Sequence, residues 1–169
     1  KFKFMGVAGG AAAGVNPTTV LTAWKSPSVI TDPNSGDIKL GGTYADGVLT
    51  GGTSYLSRGI SINLANDVKN MSMLGGSYIS ITDRQPTGSL QLELTAVQEA
   101  AMMTEINANT LTSISFEHGT TAGAKVAIFS PSVQRINPKH ADYQGNAQFG
   151  MDLRFIPLAG NDELVILAY

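Results

Sequence analysis

Residues 79–94 read Ile-Ser-Ile-Thr-Asp-Arg-Gln-Pro-Thr-Gly-Ser-Leu-Gln-Leu-Glu-Leu. Apolar side chains occupy every second position on both sides of a polar turn, at Ile79, Ile81, Leu90, Leu92 and Leu94. Successive side chains of a strand point to opposite faces, so this alternation predicts two strands that each bury one face. Pro86 and Gly88 favour a reversal of the chain between them. The stretch therefore predicts a β-hairpin.

Alternation of the same kind predicts strands along the rest of the chain. The longest pattern covers residues 147–156 and places four large side chains on one face: Phe149, Met151, Leu153 and Phe155. Pro131 is expected to end a strand, and residues 138–145 are expected to form a loop. Shorter strands are predicted at residues 1–4, 60–64, 111–116, 125–129, 133–136 and 163–169.

A helix is predicted at about residues 95–107. Thr95 and Gln98 have the spacing of a capping box, in which each side chain binds the backbone N–H of the other residue. An apolar stripe at helical spacing is expected to lie against the sheet. Its members are Val97, Ala100 or Ala101, and Ile106.

The strands and the helix together predict a mainly β fold of the α+β type. We expect an antiparallel β-sandwich or barrel with one packed helix. The length of 169 residues suits a single domain. Trp24 is expected to be a core or interface anchor.

A glycine-rich segment at about residues 37–59 predicts a long extended loop or hairpin that gains order by packing on something else. Its glycines disfavour a helix, because each costs about 1 kcal/mol relative to alanine in a helix interior. We expect this segment to form an arm that lies on a neighbouring subunit or ring. Its larger side chains are candidates for a subunit interface, although a core role is equally compatible with each: Tyr44, Leu49, Tyr55 and Leu56.

Composition limits the possible partners. Charged residues make up 14% of the chain, with 11 basic and 13 acidic side chains and a net charge of -2. The low charge fits either a surface that neighbouring subunits cover or a β protein with neutral polar faces. The charges form no basic stripe, and no apolar run approaches the roughly 18 residues of a membrane span, so neither tight nucleic-acid binding nor a membrane partner is expected.

The chain contains weak candidates for chemistry. Residues 119–125 superficially resemble a phosphate-binding loop, but their spacing differs from that pattern and predicts a turn. The two histidines, His118 and His140, lack the spacing of a metal-binding pair. Two pairs of carboxylates are better explained as surface charge than as general acids and bases: Glu99 with Glu105, and Asp83 with Glu93. We therefore predict no enzyme activity, no cofactor and no metal site.

An ordered set of motifs resembles the C-terminal domain of long-tailed phage tail tube proteins, of the kind whose subunit carries two similar tube domains. The most specific motif, Arg-Gln-Pro-Thr-Gly-Ser at residues 84–89, is close to an Arg-x-Pro-Thr-Gly-Ser signature. The others lie at residues 1–6, 38–42, 60–66, 121–125, 131–134, 142–145 and 159–166. Residues 7–15, rich in alanine and glycine, depart from the pattern.

This resemblance implies a structural virion protein. Tail tube subunits would join edge to edge into rings, and the rings would stack into a conduit for DNA ejection. The partners implied are further copies of the chain, as a trimer of two-domain subunits or a hexamer-like ring, other tail proteins, and DNA in transient, non-specific passage. The chain would be the C-terminal half of a longer protein that is made in the bacterial host cytoplasm and built into the phage tail.

A second hypothesis is a non-catalytic β-sandwich binding module that recognises carbohydrate or a host surface. Such a module would have a concave site with exposed aromatic side chains and would be stable as a monomer. Open sheet edges favour the first hypothesis, because a ring pairs them with the next subunit.

Overall fold

The computed structural model describes residues 3–10 and 12–169. A short 3-10 helix, Asp32–Asn34, precedes the first strand. The elements that follow in the described residues are β1 (Ile38–Ala45), β2 (Val48–Tyr55), β3 (Ser57–Asn63), β4 (Asn66–Met73), β5 (Gly76–Arg84), β6 (Thr87–Leu92), α1 (Ala96–Asn107), β7 (Thr112–His118), β8 (Val126–Tyr143), β9 (Asn146–Phe155) and β10 (Val165–Ala168).

The strands form two antiparallel sheets in this part of the chain. The 8-stranded sheet has the order β2-β1-β7-β8-β9-β6-β3, and β10 pairs with the first residues of β8. Strands β4 and β5 form a separate 2-stranded sheet. This mainly β architecture with a packed helix confirms the predicted fold class, and the glycine-rich segment forms the predicted hairpin as β1 and β2.

One residue, Leu56, joins strands that lie at opposite ends of the large sheet. Tyr55 at the end of β2 is paired with β1, whereas Ser57 at the start of β3 is paired with β6. The carbonyl oxygen of Leu56 accepts a hydrogen bond of 2.9 Å from the backbone N–H of Glu93. One residue is too short to connect the two ends of a flat sheet. The sheet therefore curls and brings the end of β2 next to the start of β3 at Leu56. The result is a half-barrel that opens away from Leu56.

The core lies on one face of this curled sheet. Strand β9 contributes the alternating set predicted from the sequence, and all four side chains are at most 3% exposed. In the neighbouring strand, Leu90 is paired with Met151, and Leu92 with Phe149. The remaining buried apolar members of this cluster are Ile38, Leu40, Met102, Ile114 and Val133.

Helix α1 confirms the predicted element and its capping box. The Thr95 side chain accepts a hydrogen bond from the Gln98 backbone, and the Gln98 side chain accepts one from the Thr95 backbone. The predicted buried stripe is wrong in part, because Val97 is 80% exposed. Met102 is buried instead, with Met103 and Ile106 packed beside it, so the helix turns its larger side chains towards the sheet.

The predicted pairing within residues 79–94 is wrong. Both strands exist, but β5 pairs with β4, whereas β6 lies between β3 and β9. Pro86 marks the crossing point, where its carbonyl oxygen accepts a hydrogen bond of 3.1 Å from the Phe155 backbone. Alternation along a strand specifies which face is buried but leaves the partner strand open.

Strand β8 is also longer than predicted, because it runs through both Pro131 and Pro138. The pairing of β7 with β8 shifts register at Thr112/Ile114, opposite Pro131, and the pairing of β8 with β9 shifts at Ile136/Lys139, beside Pro138. Proline lacks the backbone donor, and such irregularities are where a strand tolerates it. The prolines therefore locate bulges instead of ends.

Two predictions near the start of the chain concern a strand at residues 1–4 and an anchoring role for Trp24. Of the strand expected at residues 1–4, Lys1 and Phe2 lie outside the described residues, and residues 3 and 4 are not in a strand. Trp24 is 70% exposed and is therefore not a core residue of this chain.

Candidate subunit interface

The main path of the large sheet ends in two edge strands, and the short β10, which pairs only with β8 in the described residues, adds a third edge. Strands β2 and β3 stand at the ends of the sheet order, and no described residue pairs with their outer sides. The backbone N–H and C=O groups of an edge strand form a template for pairing with another chain, and proteins usually shield them. Glycine is frequent in β2, and Ser61 and Asn63 of β3 are exposed, so both edges are accessible. These edges are the strongest candidate contact surface.

The four side chains predicted for an interface fall into two groups. Tyr44 packs on Phe129, with ring centroids 5.7 Å apart, and Tyr55 packs against the core cluster. Leu49 is half-buried on β2. Leu56 is 64% exposed at the corner between the edges. Within the subunit, the tyrosines thus have packing roles, and the interface role of all four residues stays a prediction.

The element that leaves the barrel is a different hairpin, β4–β5, which we call the arm. Its two strands pair along residues 66–84, and in the described residues neither pairs with the large sheet. An isolated two-stranded hairpin is marginally stable in water. Apolar side chains are nevertheless exposed along it: Met73, Leu74, Tyr78 and Ile81. The arm therefore has the features of a segment that a neighbouring surface completes.

The sequence predictions place an arm in the glycine-rich segment, and they do not identify β4–β5 as a hairpin. The available signal was the Gly75-Gly76 turn between two stretches of strand character. Residues 66–70 are mostly polar, which concealed β4. The hairpin predicted at residues 79–94 also paired β5 with β6, whereas in the structure β5 pairs with β4.

An ion pair holds the base of the arm. Nη2 of Arg84, the last residue of β5, lies 2.6 Å from Oε2 of Glu163 and 3.1 Å from Oδ1 of Asn161. The neighbouring carboxylate, Asp83, accepts a hydrogen bond from the Arg84 backbone N–H. The Arg84 hydrogen bond is the main cause that lowers the pKa of Glu163 from its usual value.

The segment before β1 carries exposed apolar side chains and is attached to the barrel at its end. His118 contacts the carbonyl oxygen of Ser28 at 3.1 Å through Nε2 and the hydroxyl of Ser35 at 3.0 Å through Nδ1. Several large side chains before and between these two contact points face solvent: Val15, Val20, Leu21, Trp24, Val29 and Ile30. They add a second apolar surface to that of the arm.

The sheet face opposite the core is polar and carries few charges. Across β3, β6 and β9, the register aligns Ser61, Ser89 and Asp152, and aligns Asn63, Thr87 and Arg154 in the next row. Asp152 accepts hydrogen bonds from Asn137 at 3.1 Å and from Lys139 at 3.4 Å. The Asn137 bond is the largest cause that lowers the pKa of Asp152. Hydroxyl and amide groups and the paired Asp152 and Lys139 make up most of this face, which also carries the exposed Arg154.

The groups considered for chemistry are engaged in structural contacts. Glu99 binds His140 at 2.7 Å, and Glu105 binds the buried Arg135 at 2.7 Å, so both carboxylates connect α1 to β8. Residues 119–125 form the connection between β7 and β8, as predicted for a turn. In the described part of the chain, no group of three or more His, Asp or Glu side chains is placed to hold a metal ion.

A groove of about 440 Å³ lies beside β1 and β7. Two of its lining residues form an ion pair, Lys125 Nζ with Glu117 Oε1 at 3.2 Å. A hydrogen bond from Tyr169 is the largest cause that lowers the pKa of Glu117, and burial with this contact raises the pKa of Tyr169 to about 12. These groups attach the C-terminal residue to the barrel, since Lys125 and Tyr169 also exchange backbone hydrogen bonds.

A half-barrel with two open edges and a projecting apolar hairpin defines a structural subunit of an assembly. A family model described as phage tail tube protein matches residues 1–166, so the chain belongs to the phage tail tube protein family. It is therefore a structural tail tube subunit of a phage tail particle. This membership supports the tail tube hypothesis over the binding module.

A solved structure shows the same fold. It is a chain of the sheath–tube complex of an extracellular contractile injection system, PVC, in the extended state. The two chains share 10% sequence identity with a TM-score of 0.58, and the match covers 91% of this chain and 100% of the other.

No curated protein sequence matches this chain. None of the helices in residues 3–10 and 12–169 has the length and apolar character to span a membrane.

Proposed function

We propose that copies of this subunit join through the edges of β2 and β3 into rings, and that the rings stack into the conduit for DNA ejection. The observation that carries this proposal is the pair of open edges on one curled sheet. Pairing an edge with the next copy satisfies its backbone hydrogen bonds, and cyclic symmetry then closes the assembly. The subunit acts by assembly and not by catalysis.

The arm is the proposed contact with a neighbouring copy. Its exposed Met73, Leu74 and Tyr78 would lose their contact with water against an apolar surface, which is favourable by about 25 cal/mol per Å² of area buried. The hairpin β1–β2 supplies a second contact in this proposal, through Leu49 and Leu56. Other tail proteins would bind at the two ends of the stack.

The stoichiometry follows the number of tube domains in the subunit. We propose that the chain is the C-terminal half of a two-domain subunit made in the bacterial host cytoplasm. Three copies then form a ring of pseudo-sixfold symmetry, whereas single-domain copies form a hexamer-like ring. The mass of the isolated ring divided by the mass of its denatured polypeptide gives the copy number, three or six, and separates the two arrangements.

The polar sheet face is the proposed lining of the conduit. DNA is attracted to dense Lys and Arg, and each phosphate contact releases counterions and strengthens binding. In the aligned rows, this face carries hydroxyls, amides and the basic side chain of Arg154, and Lys139 beside them is paired with Asp152. It therefore offers few such contacts, and DNA passes without being held. A reconstructed tube with a dense band of Lys and Arg on its inner wall contradicts this assignment.

The edges are tested with a pair of lysine substitutions. Ser54→Lys on β2 and Ser61→Lys on β3 place charges on exposed positions of the two edges, and edge lysines oppose strand addition. Asn107→Lys, at the exposed end of α1, is the matched control. Electron microscopy and light scattering are expected to show rings or tubes for the unmodified chain and the control, and monomers for the double variant with an unchanged melting temperature.

Two outcomes contradict the proposal. In one, the double variant assembles as well as the control. In the other, the unmodified protein stays monomeric both as this chain and within the longer protein, at concentrations where tail tubes form.

A further inference from the structure

The orientation of the arm relative to the barrel depends on the contacts at its base. Its strands pair with each other and, in the described residues, with no strand of the barrel. The chain enters the arm through Leu64 and Ala65, and Ala65 has a positive φ of 48°. It leaves through Gln85 and the buried Pro86. Two short connections by themselves permit the hairpin to swing as a unit, so side-chain contacts at its base decide where it points.

Arg84 makes such a contact. Its Nη2 reaches both Glu163, at 2.6 Å, and Asn161, at 3.1 Å. The side chain of Arg84 is 28% exposed and that of Glu163 is 12% exposed, so water screens the pair less than it screens the other ion pair of the arm. That pair, Lys69 with Asp67, has side chains that are 56% and 47% exposed.

The far side of the contact is firmly attached to the barrel. Asp162 accepts hydrogen bonds from the backbone N–H groups of Leu158, at 2.9 Å, and Ala159, at 3.0 Å, which closes the loop around Glu163. Leu164 packs against the core cluster, and β10 then pairs with β8. Through this loop, Arg84 connects the arm to the central strands of the sheet.

We propose that Arg84 is the positioning residue of the arm: its ion pair with Glu163 fixes the angle between arm and barrel, so that the arm meets a second copy of the chain in one orientation. This inference rests on the proposed contact between the arm and a neighbouring copy. A segment already held in its bound orientation loses less conformational freedom on association. Arg84 therefore lowers the concentration at which subunits assemble without itself lying in the contact.

The angle of the arm is measured on the unassembled chain. The sequence contains no cysteine, so spin labels are placed at two introduced sites, Ser77→Cys on the arm and Asn107→Cys at the end of α1. Double electron–electron resonance is expected to give a narrow distance distribution for otherwise unmodified protein and a broad one for Arg84→Ala. The exchange Arg84→Glu with Glu163→Arg restores the pair with reversed charges and is expected to narrow the distribution again.

The control variant removes the exposed ion pair of the same hairpin. Lys69→Ala is expected to leave the distance distribution narrow. The inference is overturned if Arg84→Ala leaves the distribution narrow, or if Lys69→Ala broadens it equally. It is also overturned if the charge exchange folds, as judged by its melting temperature, but fails to narrow the distribution.

Assembly supplies a second readout. The critical concentration for assembly is expected to be about tenfold higher for Arg84→Ala, which corresponds to about 1.4 kcal/mol per contact. The charge exchange should bring the critical concentration most of the way back to that of the unmodified chain. A narrow distribution in the unmodified chain that assembles into no tube would contradict the proposed function but leave the positioning role intact. Tube formation with an unchanged critical concentration in Arg84→Ala contradicts the positioning role alone.

Discussion

Gly88 lies where two neighbouring groups leave no room for a side chain. A Cβ atom at this position would overlap the carbonyl oxygen of Ser61 and would lie 3.1 Å from Cε2 of the Phe155 ring. The sequence predicts Gly88 as a turn residue, but it lies within β6, between β3 and β9. The glycine of the Arg-Gln-Pro-Thr-Gly-Ser motif thus permits close packing of strands.

Gly88→Ala is expected to destabilise the fold by about 1–3 kcal/mol or more, the usual cost of overpacking. Urea unfolding measures the change. The matched control is Gly76→Ala at the start of β5, where nothing lies within 4 Å of the added Cβ and φ is not in the left-handed region. An equal loss of stability in both variants would show that space at Gly88 does not matter.

Glu163 makes stability depend on pH. Its hydrogen bond from Arg84 lowers its pKa below the usual value of 4.5 in the folded protein. A lowered pKa contributes stability that is fully present above the unfolded pKa and is lost as the pH falls through the folded pKa. We expect Glu163→Gln to cost about 1–3 kcal/mol near neutral pH, as for a hydrogen bond to a charged group.

The difference between the two proteins should shrink as the pH falls below the usual value of 4.5 and through the lowered pKa of the folded carboxyl, where the parent protein also takes up the proton. Chemical unfolding across a pH series measures this difference in the free energy of unfolding. Glu93→Gln, on an exposed carboxylate, serves as the control. If the difference in stability between the parent protein and Glu163→Gln stays constant down to the lowest pH, the pH dependence does not come from Glu163.

At the scale of elements, α1 depends on its first turn. Thr95 and Gln98 satisfy each other's backbone N–H groups, which the helix itself leaves without partners. Thr95→Ala is expected to cost about 1 kcal/mol, and Thr95→Ser should retain most of the stability because serine is an equally good cap. Thermal unfolding followed by circular dichroism measures both, and equal melting temperatures for Ala and Ser would contradict the role of the cap.

Elements with strong local signals could be predicted from the sequence. The alternation of Phe149, Met151, Leu153 and Phe155 predicted β9 and its buried face, and the capping box predicted the start of α1. Partner strands could not be predicted in the same way, because alternation is equally compatible with any neighbour. The arm was missed for this reason, and the base contact between Arg84 and Glu163 joins residues far apart in the sequence.

The exposed face of a helix was equally hard to predict. Val97 and Met102 both fit an apolar stripe, and local spacing could not choose between them. The choice depends on contacts made after the chain folds, in which Glu99 and Glu105 bind His140 and Arg135 on β8. These two contacts and the burial of Met102 set the rotation of the helix, and Val97 is exposed in it.

At the scale of the whole molecule, the arm and the barrel are separable in structure. Replacing residues 70–79 by a two-residue Asn-Gly turn shortens the arm but keeps its base pairing, with Asn66 opposite Arg84. The barrel should keep its melting temperature within a few degrees, because the core cluster contains no arm residue. Assembly into tubes should be lost, as judged by electron microscopy. Normal tubes from the shortened chain would exclude the arm from the contacts between copies.

Leu56 also couples events at the two rims of the half-barrel. In the proposed assembly, a copy that pairs with β2 would immobilise the peptide from which β3 starts, so the second rim would lose freedom before any partner reaches it. A protein that one binding event has already stiffened accepts the next at a lower entropic cost. We therefore expect polymerisation to begin slowly and then to elongate quickly, with a lag that a few preformed seeds abolish.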